Sequence, residues 1–209
     1  MLYIILEIML FGAILSLDLW SKHAAAAYLA DKPFREAPLI DGFMDLKYSQ
    51  NTGASWGIFR DHTLVLTIFT AVALAGVLIF LILRRKKDKK LLRLPLILIL
   101  AGGAGNLVDR IMFGYVRDFL RYTFIDFPIF NVADAAITVG SIGLIVYLIV
   151  EFFREAKTLK KAKAGELQTS NPDEIIETIG SPQPERADAA KETKKSKDAE
   201  RNGNGTKYG

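Results

Sequence analysis

The run TLVLTIFTAVALAGVLIFLIL, Thr63 to Leu83, contains no charged residue. As a helix it is long enough to cross a hydrocarbon core of ~30 Å. Backbone polar groups in lipid must be satisfied within the protein, which a helix does by itself. The chain is therefore expected to be a membrane protein rather than a soluble globule.

Three further runs join the first. One covers about Leu2 to Trp20, interrupted by Glu7 and ending near Asp18. Another starts near Leu92 and reaches about Leu107, with Pro95 tolerable in a first helical turn. The last covers about Val132 to Phe153. No repeat of 20–50 residues is visible. The first run lacks a basic leading segment, and Glu7 stands where a cleaved signal sequence is apolar, so a retained helix is expected. Glu7 itself receives no role beyond facing a neighbouring helix.

Charge gives the orientation. The segments RRKKDKKLLR (Arg84–Arg93) and REAKTLKKAK (Arg154–Lys163) are strongly basic. Positive residues beside spans stay on the cytoplasmic side. With four spans, both termini are cytoplasmic, and the loops His23–His62 and Ile111–Asn131 share the outer face. The net charge of +4 thus reflects membrane orientation, and no nucleic-acid partner is expected. There is no cysteine, so disulfides, thiolate nucleophiles and cysteine metal sites are excluded. The two histidines, His23 and His62, match no ligand spacing, and neither metal nor cofactor is expected.

The outer loops carry the interesting residues. MDLKYS (Met44–Ser49) alternates apolar and polar, which fits a half-exposed strand or a plain surface loop. NTGASWG (Asn51–Gly57) follows, with two glycines that permit close approach. From about Gly165 the chain is rich in Lys, Glu, Asp, Ala, Asn and Pro, with almost no aromatics. Residues 154–209 are read as a charged, disordered cytoplasmic tail, distinct from a four-span membrane unit over residues 1–153. EIIETIG (Glu174–Gly180) is its one apolar patch, either a transient helix, a docking site or plain disorder.

Carboxylates are costly in or beside a bilayer, yet Asp109, Asp118, Asp126 and Asp134 fall within 36 residues that are otherwise largely apolar. Two carboxyls meeting in a poorly hydrated site cannot both ionise comfortably. Asp118 and Asp134, both near the outer boundary, would then hold a base and an acid at once and activate a water without a metal. The plainer readings are an N-terminal helix role for Asp134 and a surface pair of Asp118 with Arg117 or Arg121. Asp109 and Arg110 read as an ion pair at the membrane edge, with Arg110 partly free to grip a carbonyl or phosphate. Asp18 and Lys22 lie four apart on one helix face, as an ion pair or an anion site. Asn51 and Asn131 suit either an extended substrate or a turn. The glycines of AGGAG (Ala101–Gly105), just before Asn106, allow close helix packing.

Taken in order, DLWSK (Asp18–Lys22), NTGASWG (Asn51–Gly57), GGAGNLVDR (Gly102–Arg110), GYVRDF (Gly114–Phe119) and FNVADAAITVG (Phe130–Gly140) resemble the lipoprotein signal peptidases, signal peptidase II. The resemblance covers about Met1 to Phe153. It implies an all-α membrane protein of four transmembrane helices with a small extracytoplasmic β-sheet. It implies an aspartyl endopeptidase of the bacterial cytoplasmic membrane, which removes signal peptides from diacylglyceryl-modified prolipoproteins on the amino side of the lipidated cysteine. Carried over by motif, Asp118 and Asp134 are catalytic. Asn51, Asn106, Arg110 and Asn131 contact substrate, and Asp18, Lys22 and Asp109 support the site. Membrane lipids and cyclic-peptide inhibitors of the globomycin type are the other implied partners. Ser55 and Trp56 depart from the usual Ala and Phe. Arg117 replaces a commonly apolar residue, and a guanidinium turned inward there would favour ionised Asp118. Two other classes compete on the residues alone: a proton-coupled transporter and a non-enzymatic membrane scaffold.

Overall fold

A computed structural model describes residues 2–53, 62–84 and 90–169. The order is α1 (Leu2–Tyr28), a short 3-10 turn (Pro33–Arg35), β1 (Glu36–Ile40), β2 (Met44–Asn51), α2 (Thr63–Leu83), α3 (Lys90–Phe113), β3 (Val116–Tyr122) and α4 (Val132–Thr169). All four helices are long and apolar enough to cross a membrane. The chain divides into two compact units, Met1–Glu151 and Phe152–Gly209. Of the second, only residues 152–169 are described.

The second span matches its expected bounds; the other helices are longer. The first runs on past Trp20 through the alanine-rich KHAAAAY to Tyr28, because alanine is the best helix former. Asp18 and Lys22 therefore lie inside a helix, not at its end. The third begins at Lys90 and reaches Phe113, so Pro95 sits beyond its first turn, and Asn106, Asp109 and Arg110 are helical. The fourth continues past Phe153 to Thr169, so residues 154–169, expected to be disordered, are helical. Their Lys, Glu, Ala and Leu propagate a helix readily. Residues 170–209, with the EIIETIG patch, lie outside the described residues, as do Ser55 and Trp56.

α3 is the central helix. Half of its most apolar window is buried, against 6% in each of the other three. Its small residues explain how it takes neighbours. A Cβ on Gly102 would strike the Ala133 carbonyl of α4, one on Gly103 the Leu74 side chain of α2, and one on Gly105 the Asp18 carboxylate of α1. Three glycines thus admit three different helices, with the close approach that small residues allow in membranes. Gly140 of α4 likewise abuts the Pro95 carbonyl. Away from the glycines, Leu81, Leu96 and Ile97 form a core with Leu10, Phe11, Val77, Leu100 and Leu144 around them. Large apolar residues such as Phe69, Val72, Leu83, Ile142 and Phe152 stay exposed, as lipid-facing residues would.

Glu7 finds its partner inside this bundle. Arg93 donates to its two oxygens at 2.6 and 2.8 Å and to the Leu81 carbonyl at 2.9 Å. The bidentate pair ties α1 to α3 and satisfies a carbonyl in the last turn of α2.

The expected strand is present and is two residues longer than Met44–Ser49. The sheet is antiparallel in the order β1-β2-β3. One face carries an ionic ladder across all three strands, in which Glu36 meets Lys47 and Arg121, and Arg121 meets Asp45 at 2.8 Å. Lys47 first, then Arg121, holds the Glu36 carboxyl below its ordinary range. The connectivity puts the sheet at the end of the bundle where α1 and α3 finish and α2 and α4 begin.

Candidate active site

The register of β2 decides what faces the helices. Met44, Asp45 and Leu46 pair with Tyr122, Arg121 and Leu120, but Ser49, Gln50 and Asn51 pair with Asp118, Arg117 and Val116. One extra residue of β2 is therefore accommodated between Leu46 and Ser49. A strand alternates faces with a period of two, so an extra residue swaps the faces beyond it. Ser49 and Asn51 consequently share the face of Asp118, instead of pointing away with Asp45.

Asp118 is 2% exposed. Its Oδ2 accepts from Asn51 Nδ2 at 3.0 Å, and its Oδ1 from Asn131 Nδ2 at 2.7 Å. Asp134 is held the same way: Oδ1 accepts from Asn106 Nδ2 at 2.8 Å, and Oδ2 from the Asn131 backbone N–H at 3.1 Å. Asn131 Oδ1 in turn accepts from the Asp134 backbone N–H at 2.9 Å. Asn131 is thus the N-cap of α4 and Asp134 its third residue, a reciprocal capping box. The plain helix-terminus reading of Asp134 is correct as local structure, and it also fixes the carboxylate beside Asp118.

The donors to both carboxylates are neutral amides, which offset the cost of burial only in part. Burial, and next the charge of Asp134, raises Asp118 from 3.8 to about 7 against the opposing pull of Asn51, Asn131 and Lys22. Surface pairing of Asp118 with Arg117 or Arg121 does not occur. Arg121 belongs to the sheet ladder, and Arg117 turns onto Asp109 at 2.7 Å. The guanidinium of Arg117 does not turn inward to Asp118, because Asp109 takes both its backbone N–H and its guanidinium. Asp126 is exposed and outside the network.

Beneath the two aspartates lies a buried charge cluster. Lys22 is fully buried and meets Asp18 Oδ2 at 2.8 Å, Asp109 Oδ2 at 3.4 Å and Asn106 Oδ1 at 2.9 Å. The Asn106 oxygen also accepts from Asn131 at 3.1 Å. Asp18 reaches across to accept the Ala133 backbone N–H at 2.9 Å, satisfying a second free donor at the start of α4. Asp109 and Arg110 do not pair with one another. Neighbours on a helix diverge by about a quarter turn or more, and Asp109 faces Lys22 while Arg110 donates to the Gly53 carbonyl at 3.0 Å.

A cavity of about 850 Å³ opens above this layer. Asn51, Gly53, Asn106, Arg110, Asp118 and Asp134 line its polar wall. Tyr122, Phe127 and Phe130 form an aromatic wall, with ring centroids 5.2–5.9 Å apart. Thr70, Gly103, Ile137 and Val139 carry the cavity down between helices. Arg110 Nε is buried and has no hydrogen-bond partner among the described residues.

All nine residues singled out from the sequence therefore meet in one connected region. Asn131 is the exception in placement. It was expected to touch substrate, but it is fully buried, lies outside the cavity lining, and commits its amide to Asp118, Asn106 and α4. The sequence reading missed Gly53 and Ala133, which act through backbone groups that leave no trace in residue type. It also missed the aromatic wall, whose only signal is the closely spaced aromatics of YTFIDFPIF.

Comparison with known proteins adds an independent line. Residues 10–150 match the family model described as signal peptidase (SPase) II. The lipoprotein signal peptidase of Enterococcus faecalis is 34% identical over 163 residues, covering 78% of this chain and 94% of that relative. The lipoprotein signal peptidase of Syntrophus aciditrophicus is 37% identical over 155 residues, covering 70% and 93%. A solved bacterial membrane enzyme superposes with a TM-score of 0.63 at 28% identity, covering 70% of this chain and 88% of the other.

Proposed function

The chain belongs to the signal peptidase II family, and from that membership we propose that Asp118 and Asp134 hydrolyse the signal peptide from diacylglyceryl-modified prolipoproteins, on the amino side of the lipidated cysteine. Family membership makes the protein a protease that removes signal peptides from lipoprotein precursors, which displaces the transporter and scaffold readings. The observation that carries the residue assignment is the amide-bridged carboxylate pair in the wall of one cavity.

The chemistry follows from the charge state. Near neutral pH two such carboxyls share one proton. The ionised member takes a proton from a water poised between them, and that water attacks the scissile carbonyl. The protonated member then delivers its proton to the departing amine of the cysteine. The pair titrates as a unit, so neither residue is assigned the proton. Arg110, with Nε unpartnered beside the cavity, suits a substrate carbonyl. Asn51 and Asn106 orient the carboxylates and reach the cavity wall, and Asn131 orients them from below. Asp18, Lys22 and Asp109 hold that arrangement.

The sheet and cavity face outward in this reading, with both termini cytoplasmic. The basic residues Arg84–Arg93 and Arg154–Lys163 support it, because they flank the opposite ends of the spans. Substrate acyl chains stay in the bilayer, beside the part of the cavity that descends between helices. The reading extends to inhibition by globomycin-type cyclic peptides. The test is a gel-shift cleavage assay on a diacylglyceryl-modified precursor with inserted, folded protein. Asn at either aspartate abolishes processing, and wild-type rates in either variant refute the assignment.

A further inference from the structure

Arg117 stands out because the cleavage chemistry does not use it, yet it is tied to the buried cluster under the dyad. Its backbone N–H donates to Asp109 Oδ2 at 2.9 Å. Its guanidinium gives Asp109 Oδ1 two further bonds, at 2.7 and 3.2 Å, and stacks 4.6 Å from the Phe113 ring centroid. Asp109 is wholly buried, and among the described residues its other ion-pair partner is Lys22, at 3.4 Å.

Asp18 and Asp109 carry two negative charges, and Lys22 and Arg117 two positive ones. With Arg117 present, Lys22 sits closer to Asp18 (2.8 Å) and Asn106 (2.9 Å) than to Asp109. Without it, one ammonium serves two buried carboxylates. A buried charge stripped of its partner is strongly unfavourable, so Lys22 is drawn toward Asp109. Asn106 then loses the donor that fixes its oxygen, and its amide is the one bonded to Asp134.

We propose that Arg117 is a positioning residue for hydrolysis: by neutralising Asp109 from the side away from the cavity, it keeps Lys22 on Asn106 and so keeps Asn106 on the carboxylate of Asp134. The inference rests on the dyad assignment above. It also sets the local charge that the dyad feels. Among the described residues, the charged groups around Asp118 are Asp134 from α4, Asp18 and Lys22 from α1, Asp109 and Arg110 from α3, and Arg117 from its own strand; α2 carries none, and Asp45, Lys47 and Arg121 belong to the ladder on the other face of the sheet. Removing Arg117 adds one net negative charge, which favours the protonated dyad.

The experiment compares Arg117→Gln, Arg117→Lys and the double variant Asp109→Asn/Arg117→Gln as purified, folded enzymes across pH. Arg117→Gln should lower kcat roughly tenfold with KM changed less than about twofold, and move the rising limb of the pH profile upward by about half a unit or more. Arg117→Lys, which keeps the charge, should keep the profile. The double variant should return the limb towards its wild-type position, because the stranded charge is gone. An unmoved profile in Arg117→Gln overturns the proposal, and so does an equal displacement in Arg117→Lys. Should Arg117→Gln fail to insert, recovery of folded protein in the double variant supports the stranded charge, and continued failure refutes it. These outcomes are separate from the dyad assignment, which stands or falls with Asn at 118 or 134.

Discussion

Replacing Asp118 with Asn probes the dyad through stability as well as through turnover. An acid whose pKa is raised in the fold holds its proton more tightly there than in the unfolded chain. The stabilisation this brings is complete below about pH 4 and is lost as pH rises to the folded value. For Asp118 the rise from 3.8 to about 7 is worth roughly 4 kcal/mol in all, of which roughly 3 kcal/mol disappears between pH 5 and pH 8. Asn at this position does not titrate. It does cost a hydrogen bond, because both Asp118 oxygens accept from amides, and one of them becomes an NH2 facing a donor. That loss is about 1 kcal/mol. The two stability curves should therefore cross at the acid end, at about pH 4–5, and from pH 5 to pH 8 Asp118→Asn should gain roughly 3 kcal/mol on the wild type. At a few degrees per kcal/mol, the wild type should lose roughly 6–10 °C in Tm relative to the variant over that range, read by thermal melts in one detergent. Cleavage of a lipidated precursor should fall about 10³-fold or more at every pH. Parallel melting curves would refute the buried-carboxylate argument, and cleavage within tenfold of wild type would refute the catalytic role.

Gly105→Ala pushes a methyl into the Asp18 carboxylate and pulls it off the Ala133 N–H, so loss of roughly 2–3 kcal/mol and of most activity is expected, measured by melting and turnover together. Glu7→Gln removes the charge from the bidentate pair with Arg93 at the other end of the bundle. It should cost about 2 kcal/mol, discounted for partial exposure, while kcat at a permissive temperature stays within about twofold. Arg110→Lys keeps a cation but loses the planar fork and the reach to the Gly53 carbonyl. A several-fold rise in KM that exceeds any fall in kcat is the expected kinetic signature.

The helices were legible because lipid imposes a long, continuous demand on sequence. Thr63–Leu83 could be bounded to the residue, since its ends coincide with charge and polar loops. The other ends were not legible, because KHAAAAY and REAKTLKKAK are polar yet propagate helix well, and hydropathy does not register propensity. The nine site residues were legible as expensive polar side chains in an apolar setting. Their partners were not. Nothing in the order of residues distinguishes an Asp109–Arg110 pair from the Asp109–Lys22 and Asp109–Arg117 pairs that form, because that choice depends on which face of α3 meets α1.

Sequence alone determined that this chain crosses a membrane as helices, which end has the basic flanks, and which acids demand an explanation. Each of those follows from the transfer cost of single residues, and that cost is a property of residue type. Tertiary structure decided the rest: that one extra residue in β2 turns Asn51 toward Asp118, that Asn131 both caps α4 and bridges the aspartates, and that Arg117 serves Asp109. Those outcomes are set by register and by contacts between residues far apart in the chain, where ångström-scale geometry selects among partners that composition leaves equivalent.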